Sequence, residues 1–276
     1  MLNKNTVLQC GFPRSGNYFL WKLLSRCQKK LGIFSSYLHK SGLGNVLKYI
    51  YASKRGFRLH EDFYEIDDVR INGSELTLGN IDNLKPFPVN VDEELLVYSS
   101  TIIWTHSTPS SAIKLILRIP VRFYLVRDGR DVINSLIHAT CADVGRKGSI
   151  YKIKEVNKVY DRLDIVRSYI ERWNNHVRDF LKFERLFILL KYENLVNFDS
   201  DFVFILKLFG LNDRKNIEYF KEVLSFDKMK KETPGHLRKG KNGDWKNYFS
   251  EVHKEIFKEI AGETLIKLGY EKDMNW

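Results

Sequence analysis

The stretch that most constrains this chain is Gly11-Phe12-Pro13-Arg14-Ser15-Gly16-Asn17. It follows an apolar run (residues 6–10) and precedes a helical pattern with Leu20, Leu23, Leu24, Cys27 and Leu31 on one face. Strand, glycine-bounded turn and helix in that order make an anion site. The turn aims backbone N–H groups at one point, and the helix N-terminus adds the positive end of its dipole. Pro13 has no N–H, so the donors are expected from Arg14 onward, and Arg14 adds a permanent charge. The stretch fits G-x-x-x-x-G, but Asn17-Tyr18 stand where an ATPase or GTPase needs Lys and then Ser or Thr to hold phosphates and magnesium. A phosphate-like ligand is expected, without magnesium-assisted phosphoryl transfer. Taken alone, the stretch fits an ordinary strand-to-helix turn as well.

Further apolar runs at residues 101–104, 121–126 and 186–190 read as buried strands of a parallel sheet. Ligands of open α/β sheets bind beyond the carboxyl ends of the strands. That directs attention to Arg14-Ser15, His106, Arg127-Asp128 and Tyr192-Glu193. The first helix is expected over residues 17–31, stopped by Gly32. Residues 33–94 are poorly patterned apart from a hairpin at 69–76 with an Asn-Gly turn. Residues 145–159 read as a basic surface loop. Helices are expected at 160–183, 202–209, 217–224 and 252–268. No linker interrupts the pattern, so a single α/β domain is expected over residues 1–276.

Lysine and arginine number 45 against 34 aspartates and glutamates, a net charge of +11, which favours anionic partners. Three cysteines (Cys10, Cys27, Cys141) are few, odd in number and unclustered, and predict reduced thiols. With five residues before the first strand and apolar runs far short of a membrane span, a soluble cytoplasmic protein without a transmembrane segment is expected. No His or Cys pair has metal-ligand spacing, so no metal is expected.

Two more constellations carry chemistry. Arg127 ends a strand, Asp128 can cap the next helix, Asp131 lies in its first turn, and Ser135 stands two turns in. A strand-end arginine and a helix hydroxyl could meet at one phosphate; a capped helix with a surface arginine is the plainer alternative. Residues 237–249, Leu-Arg-Lys-Gly-Lys-Asn-Gly-Asp-Trp-Lys-Asn-Tyr-Phe, put two cations beside a glycine, with Gly, Asp and Trp at offsets unusual for a solvated charge run. His106 is the histidine that directly follows a central strand, and an imidazole can accept a proton near neutrality.

These three motifs, in this order, resemble those of the cytosolic-type sulfotransferases. Those enzymes transfer a sulfuryl group from 3′-phosphoadenosine 5′-phosphosulfate (PAPS) to a hydroxyl or amine and leave adenosine 3′,5′-bisphosphate (PAP). The likeness spans residue 7 to about residue 249 and implies a P-loop-like three-layer α/β fold, a central parallel sheet flanked by helices. It implies that Arg14, Ser15, Gly16, Asn17 and Tyr18 hold the 5′-phosphosulfate, with Arg14 in the place of the family's catalytic lysine. Phe19 stands for the tryptophan that stacks on adenine. Arg127, Ser135, Arg238, Lys239 and Gly240 would hold the 3′-phosphate, and Tyr192, Ser225, Phe226 and Met229 would flank the adenine. Trp104-Thr105-His106-Ser107-Thr108-Pro109 resembles the segment with the catalytic base, which implies that role for His106. The family's dimerisation segment aligns with Lys246, Ser250, Glu251 and Glu255, with the charged Glu251 replacing valine.

The expectation is a metal-independent transferase with a small-molecule, glycan or lipid acceptor bearing a hydroxyl, and no nucleic-acid partner. The rivals are a P-loop-type kinase and a non-catalytic binder of nucleotide or acidic glycan.

Overall fold

The computed structural model describes residues 6–55, 61–72, 75–79, 90–142, 153–233 and 239–276. They form two compact units whose chain segments alternate. The first comprises Met1–Gly11, Gly16–Leu125 and Phe183–Gly240; the second comprises Phe12–Ser15, Val126–Lys182 and Lys241–Trp276.

The first unit holds a six-stranded sheet: β1 (Val7–Gly11), β2 (Asp67–Asn72), β3 (Glu75–Leu78), β4 (Ile102–Thr105), β5 (Val121–Val126) and β6 (Ile188–Lys191). Their order is β3-β2-β4-β1-β5-β6. β1 is central and parallel to both β4 and β5, with Gln9 level with Trp104 on one side and Phe123 on the other. β2 runs parallel to β4, and β3 returns antiparallel at the edge. Alternate residues of a strand face opposite sides, and both sides are apolar here. Val7 joins Ile102, Phe123 and the inner face of helix α1 (Asn17–Lys30), including Leu20, Leu23, Leu24 and Cys27. Leu8 joins Ile103, Val69, Leu115, Ile116 and Ile119 on the other side. Each fully buried aliphatic side chain contributes about 1.5–3 kcal/mol, so α1 is fixed firmly against the sheet. It ends as expected: Gly32 adopts φ +68°, and the Ile33 N–H returns to the Gln28 carbonyl (3.0 Å).

The second unit is helical, built from α2 (Gly129–Ala142), α3 (Leu163–Lys182) and α4 (Glu251–Lys267), with short helical turns at Val156–Tyr160 and Asp244–Asn247. Trp173 of α3 packs on Phe257 of α4 (5.7 Å between centroids) and lies over Gly129, where a Cβ would come within 2.7 Å of the indole.

The central parallel sheet stands as expected, and the hairpin expected at 69–76 forms its antiparallel edge as β2 and β3. Other expectations are corrected. The run at 186–190 begins as a helical turn (Glu184–Leu186), and β6 exposes Ile188 and Leu189 because it ends the sheet. Residues 156–159, expected within a loop, belong to the helix Val156–Tyr160, while 143–152 lie outside the described residues. The long helix starts at Leu163 rather than at residue 160. The poorly patterned 33–94 region also contains helices Tyr37–Lys40 and Leu43–Arg55, which were not expected.

Candidate nucleotide and transfer site

In the first unit the loop's two glycines are there for space. A Cβ at Gly11 would sit 2.5 Å from Asn17 Oδ1 and 2.9 Å from the Leu125 carbonyl. Gly16, with φ +97°, caps α1 without a side-chain hydrogen bond, and a Cβ there would lie 2.1 Å from Cδ2 of Tyr192. The Tyr192 ring thus lies directly against the start of α1. Gln9 Nε2 donates to the Asn17 carbonyl (2.6 Å), tying the first helical residue back to β1.

His106 follows the end of β4, and its Nδ1 lies 2.7 Å from the Gly11 carbonyl. A carbonyl only accepts, so Nδ1 carries the hydrogen. In the neutral ring Nε2 is then the basic nitrogen. The Trp104 indole meets the His106 ring edge-on (5.4 Å). Phe226 opens the helix Phe226–Glu232, and a Cβ at Gly240 would fall 2.3 Å from its ring. Lys230 Nζ lies 5.5 Å from the centre of that ring.

In the second unit Arg14 adopts φ +70°, a left-handed conformation costing a non-glycine residue about 1–2 kcal/mol. Its Nε donates to Ser135 Oγ (3.1 Å). The Ser15 N–H donates to the Phe12 carbonyl (3.2 Å), closing the turn, so that donor faces inward rather than toward a ligand as the sequence suggested. The Ser15 hydroxyl is buried with no hydrogen-bond partner among the described residues. Such a group is costly unless a ligand or water meets it.

Arg127 Nη2 donates to the Lys241 carbonyl (3.2 Å) and lies 3.9 Å from Asp131 Oδ2. Asp131 accepts the Gly243 N–H (2.6 Å) and the Trp245 N–H (3.1 Å). Burial raises the Asp131 pKa above the ordinary carboxylate value, opposed by the Arg127 charge and those two N–H groups. One carboxylate thus fixes the arginine and the Gly-Asp-Trp turn together. The i, i+4 spacing of Arg127 and Asp131 carried that signal, but the 243–245 turn is out of reach of local pattern.

Other candidates are placed less openly. Phe19, Tyr192 and Met229 share one buried apolar cluster, and the Met229 side chain is only 2% exposed. The Tyr18 hydroxyl donates to Asp62 (2.8 Å), and burial, then the Asp62 charge, push its pKa far up. Lys22 pairs with the same Asp62 and with Glu232 (2.8 Å), a buried network that local sequence pattern did not indicate. Ser225 precedes the Phe226 helix without capping it through its hydroxyl, and Lys239 is exposed. Arg238 lies outside the described residues. Among the described residues no group of three or more His, Cys, Asp or Glu side chains is gathered as a metal site. None of the described helices is long and apolar enough to cross a membrane.

Comparison with known proteins bears on the fold and the family. A search of curated proteins finds no match. Among solved structures, mouse sulfotransferase SULT7A1 complexed with PAP is similar at 17% identity, over 95% of this chain and 85% of that one, with a TM-score of 0.56. Retinol dehydratase in complex with androsterone and inactive cofactor PAP is similar at 18% identity, over 95% and 80% (TM-score 0.58). Retinol dehydratase in a complex with retinol and PAP is also 18% identical, over 96% and 82% (TM-score 0.58). These likenesses show the shared fold, a central mostly parallel sheet flanked by helices, of P-loop-like kind. The profile of the sulfotransferase domain family matches residues 4–269, nearly the whole sequence, and the chain therefore belongs to that family.

Proposed function

We propose that this protein transfers the sulfuryl group of PAPS to the hydroxyl of an acceptor, a small molecule or a hydroxyl-bearing glycan or lipid, with His106 as general base. The observation that carries the reading is the 2.7 Å bond from His106 Nδ1 to the carbonyl of Gly11, the first residue of the glycine turn. It orients a basic nitrogen at the carboxyl end of the central strands, where such folds act on ligands.

The acceptor oxygen attacks sulfur, its proton passes to His106 Nε2, and the bond from sulfur to the 5′-phosphate oxygen breaks, releasing PAP. Arg14 is a very poor proton donor, so it acts by charge, stabilising the leaving phosphate as a preorganised cation. Ser15, Gly16, Asn17 and Tyr18 would contribute to holding the 5′-phosphosulfate, the last two chiefly through backbone. The unpartnered Ser15 hydroxyl supports that role. Arg127, Ser135, Arg238, Lys239 and Gly240 would hold the 3′-phosphate; Phe19, Tyr192, Ser225, Phe226 and Met229 would bound the adenine. Residues 1–276 make one sulfotransferase-like domain in this reading. Its setting is cytoplasmic, in keeping with three buried, unbridged thiols.

The test is to incubate the protein with PAPS and a panel of phenols, steroid alcohols and methyl glycosides, following PAP release by chromatography. Acceptor-dependent PAP release without magnesium supports the proposal. No acceptor-dependent release, or release that needs magnesium, contradicts it.

A further inference from the structure

Arg130 belongs to neither the loop nor the phosphate candidates, yet among the described residues it is the most enclosed lysine or arginine of the second unit. Its guanidinium lies over the Trp245 ring (4.2 Å) and over the Trp276 ring (4.5 Å), in the corner that the two rings make. Its edges are bridged by carboxylates: Nε and Nη2 donate to Asp128 (3.0 and 2.7 Å), and Nη1 donates to Glu271 (2.5 Å). The residue is 3% exposed. Trp276 in turn meets Trp245 (6.1 Å) and Phe257 of α4 (6.2 Å) edge-on.

Both neighbours of this assembly lead to the phosphate candidates. Asp128 directly follows Arg127, and the Arg130 backbone N–H also donates to the Asp128 carboxylate (2.9 Å). Asp131 directly follows Arg130 and holds the Gly243 and Trp245 N–H groups, while Trp245 stacks on Arg130. Arg127 itself donates to Lys241 in the same turn. The two segments that reach Arg127 are therefore clamped through one guanidinium.

We infer that Glu271 and Trp276 are positioning residues for recognition of the nucleotide's 3′-phosphate, acting through Arg130 on the Arg127–Asp131 and Lys241–Trp245 segments. This rests on the proposed role of Arg127 and Ser135. Charge alone argues the opposite for Glu271. A carboxylate near a phosphate repels it, so removing that charge would tighten binding if the residue acted by its field. Acting by position, its loss loosens binding.

Calorimetry on the full chain with PAP and with AMP separates these cases. Trp276→Ala removes one of two desolvated cation–π contacts to Arg130 and should weaken PAP about tenfold while leaving AMP within about twofold. Trp276→Phe keeps an aromatic face and should recover most of the loss. Glu271→Gln keeps size and shape, carries the test if the indole variant does not fold, and should weaken PAP about threefold. Unchanged PAP affinity in folded Trp276→Ala, equal losses for PAP and AMP, or tighter PAP binding by Glu271→Gln would each overturn the inference. A wild-type protein that binds PAP no better than AMP would instead overturn the donor-site reading on which it rests.

Discussion

Gly16→Ala is the sharpest test of how the loop is built. At φ +97° an L-residue carries roughly 1–2 kcal/mol of backbone strain that glycine does not. The new methyl would sit 2.1 Å from Tyr192 Cδ2 and 2.6 Å from Cε2. Ordinary carbon–carbon separation starts near 3.5 Å, so the ring must retreat by about 1.4 Å. Tyr192 is buried in the main apolar cluster, where such overpacking costs about 1–3 kcal/mol. The sum is about 2–5 kcal/mol, a large share of a typical folding free energy of about 5–15. Urea unfolding of Gly16→Ala, Tyr192→Ala and the double variant separates the parts. The steric part disappears once the ring is gone, giving a coupling of about 1–3 kcal/mol, while the strain remains. Gly32→Ala is the control: φ is +68°, but nothing lies within 4 Å of its Cβ, so only the strain, about 1 kcal/mol, should appear. A Gly16→Ala protein within about 0.5 kcal/mol of wild type, or one showing no coupling to Tyr192, would refute the reasoning.

Three further outcomes are expected. His106→Ala should retain PAP affinity in calorimetry but lose roughly 10²-fold or more of PAPS turnover; unchanged turnover removes His106 from the chemistry. Asp67 is fully buried, and desolvation raises its pKa to about 6, against the opposing hydrogen bonds from Ser100, Leu38 and Tyr37. Between the unfolded value near 4 and that folded value the native state binds more protons, so this group's contribution to stability falls as pH rises through the window. The stability difference between wild type and Asp67→Asn, from urea melts, should decline from about pH 4 to pH 6; a flat difference contradicts it. Lys22→Met should destabilise the protein by about 3–5 kcal/mol in the same melts, because it strands the Asp62 carboxylate beside the Tyr18 hydroxyl. A loss below about 1 kcal/mol would show that the pair contributes little.

Local pattern was enough where one residue's environment is set by its own neighbours in the chain. The strand at Val7–Gly11, the helix at Asn17–Lys30 and its stop at Gly32 follow from an apolar run, a 3.6-residue stripe and a glycine. It failed where distant segments decide. β6 exposes two large side chains because its place in the sheet, not its composition, sets its burial. The same holds for the site. Arg14, Arg127 and Ser135 were legible as charges and hydroxyls at telling offsets. Asp131 holding Gly243 and Trp245, and Asp62 holding Tyr18 and Lys22, depend on three-dimensional neighbours.

The central claim is that this protein grips an adenosine nucleotide at both its 5′ and 3′ anionic ends and uses no magnesium in doing so. The direct measurement is calorimetric titration of the wild-type chain with PAP, AMP and ATP–magnesium under one buffer. PAP should bind at least roughly tenfold more tightly than either of the others, the effect of one well-paired phosphate. Equal affinity for PAP and AMP, or a preference for ATP–magnesium, would contradict the account.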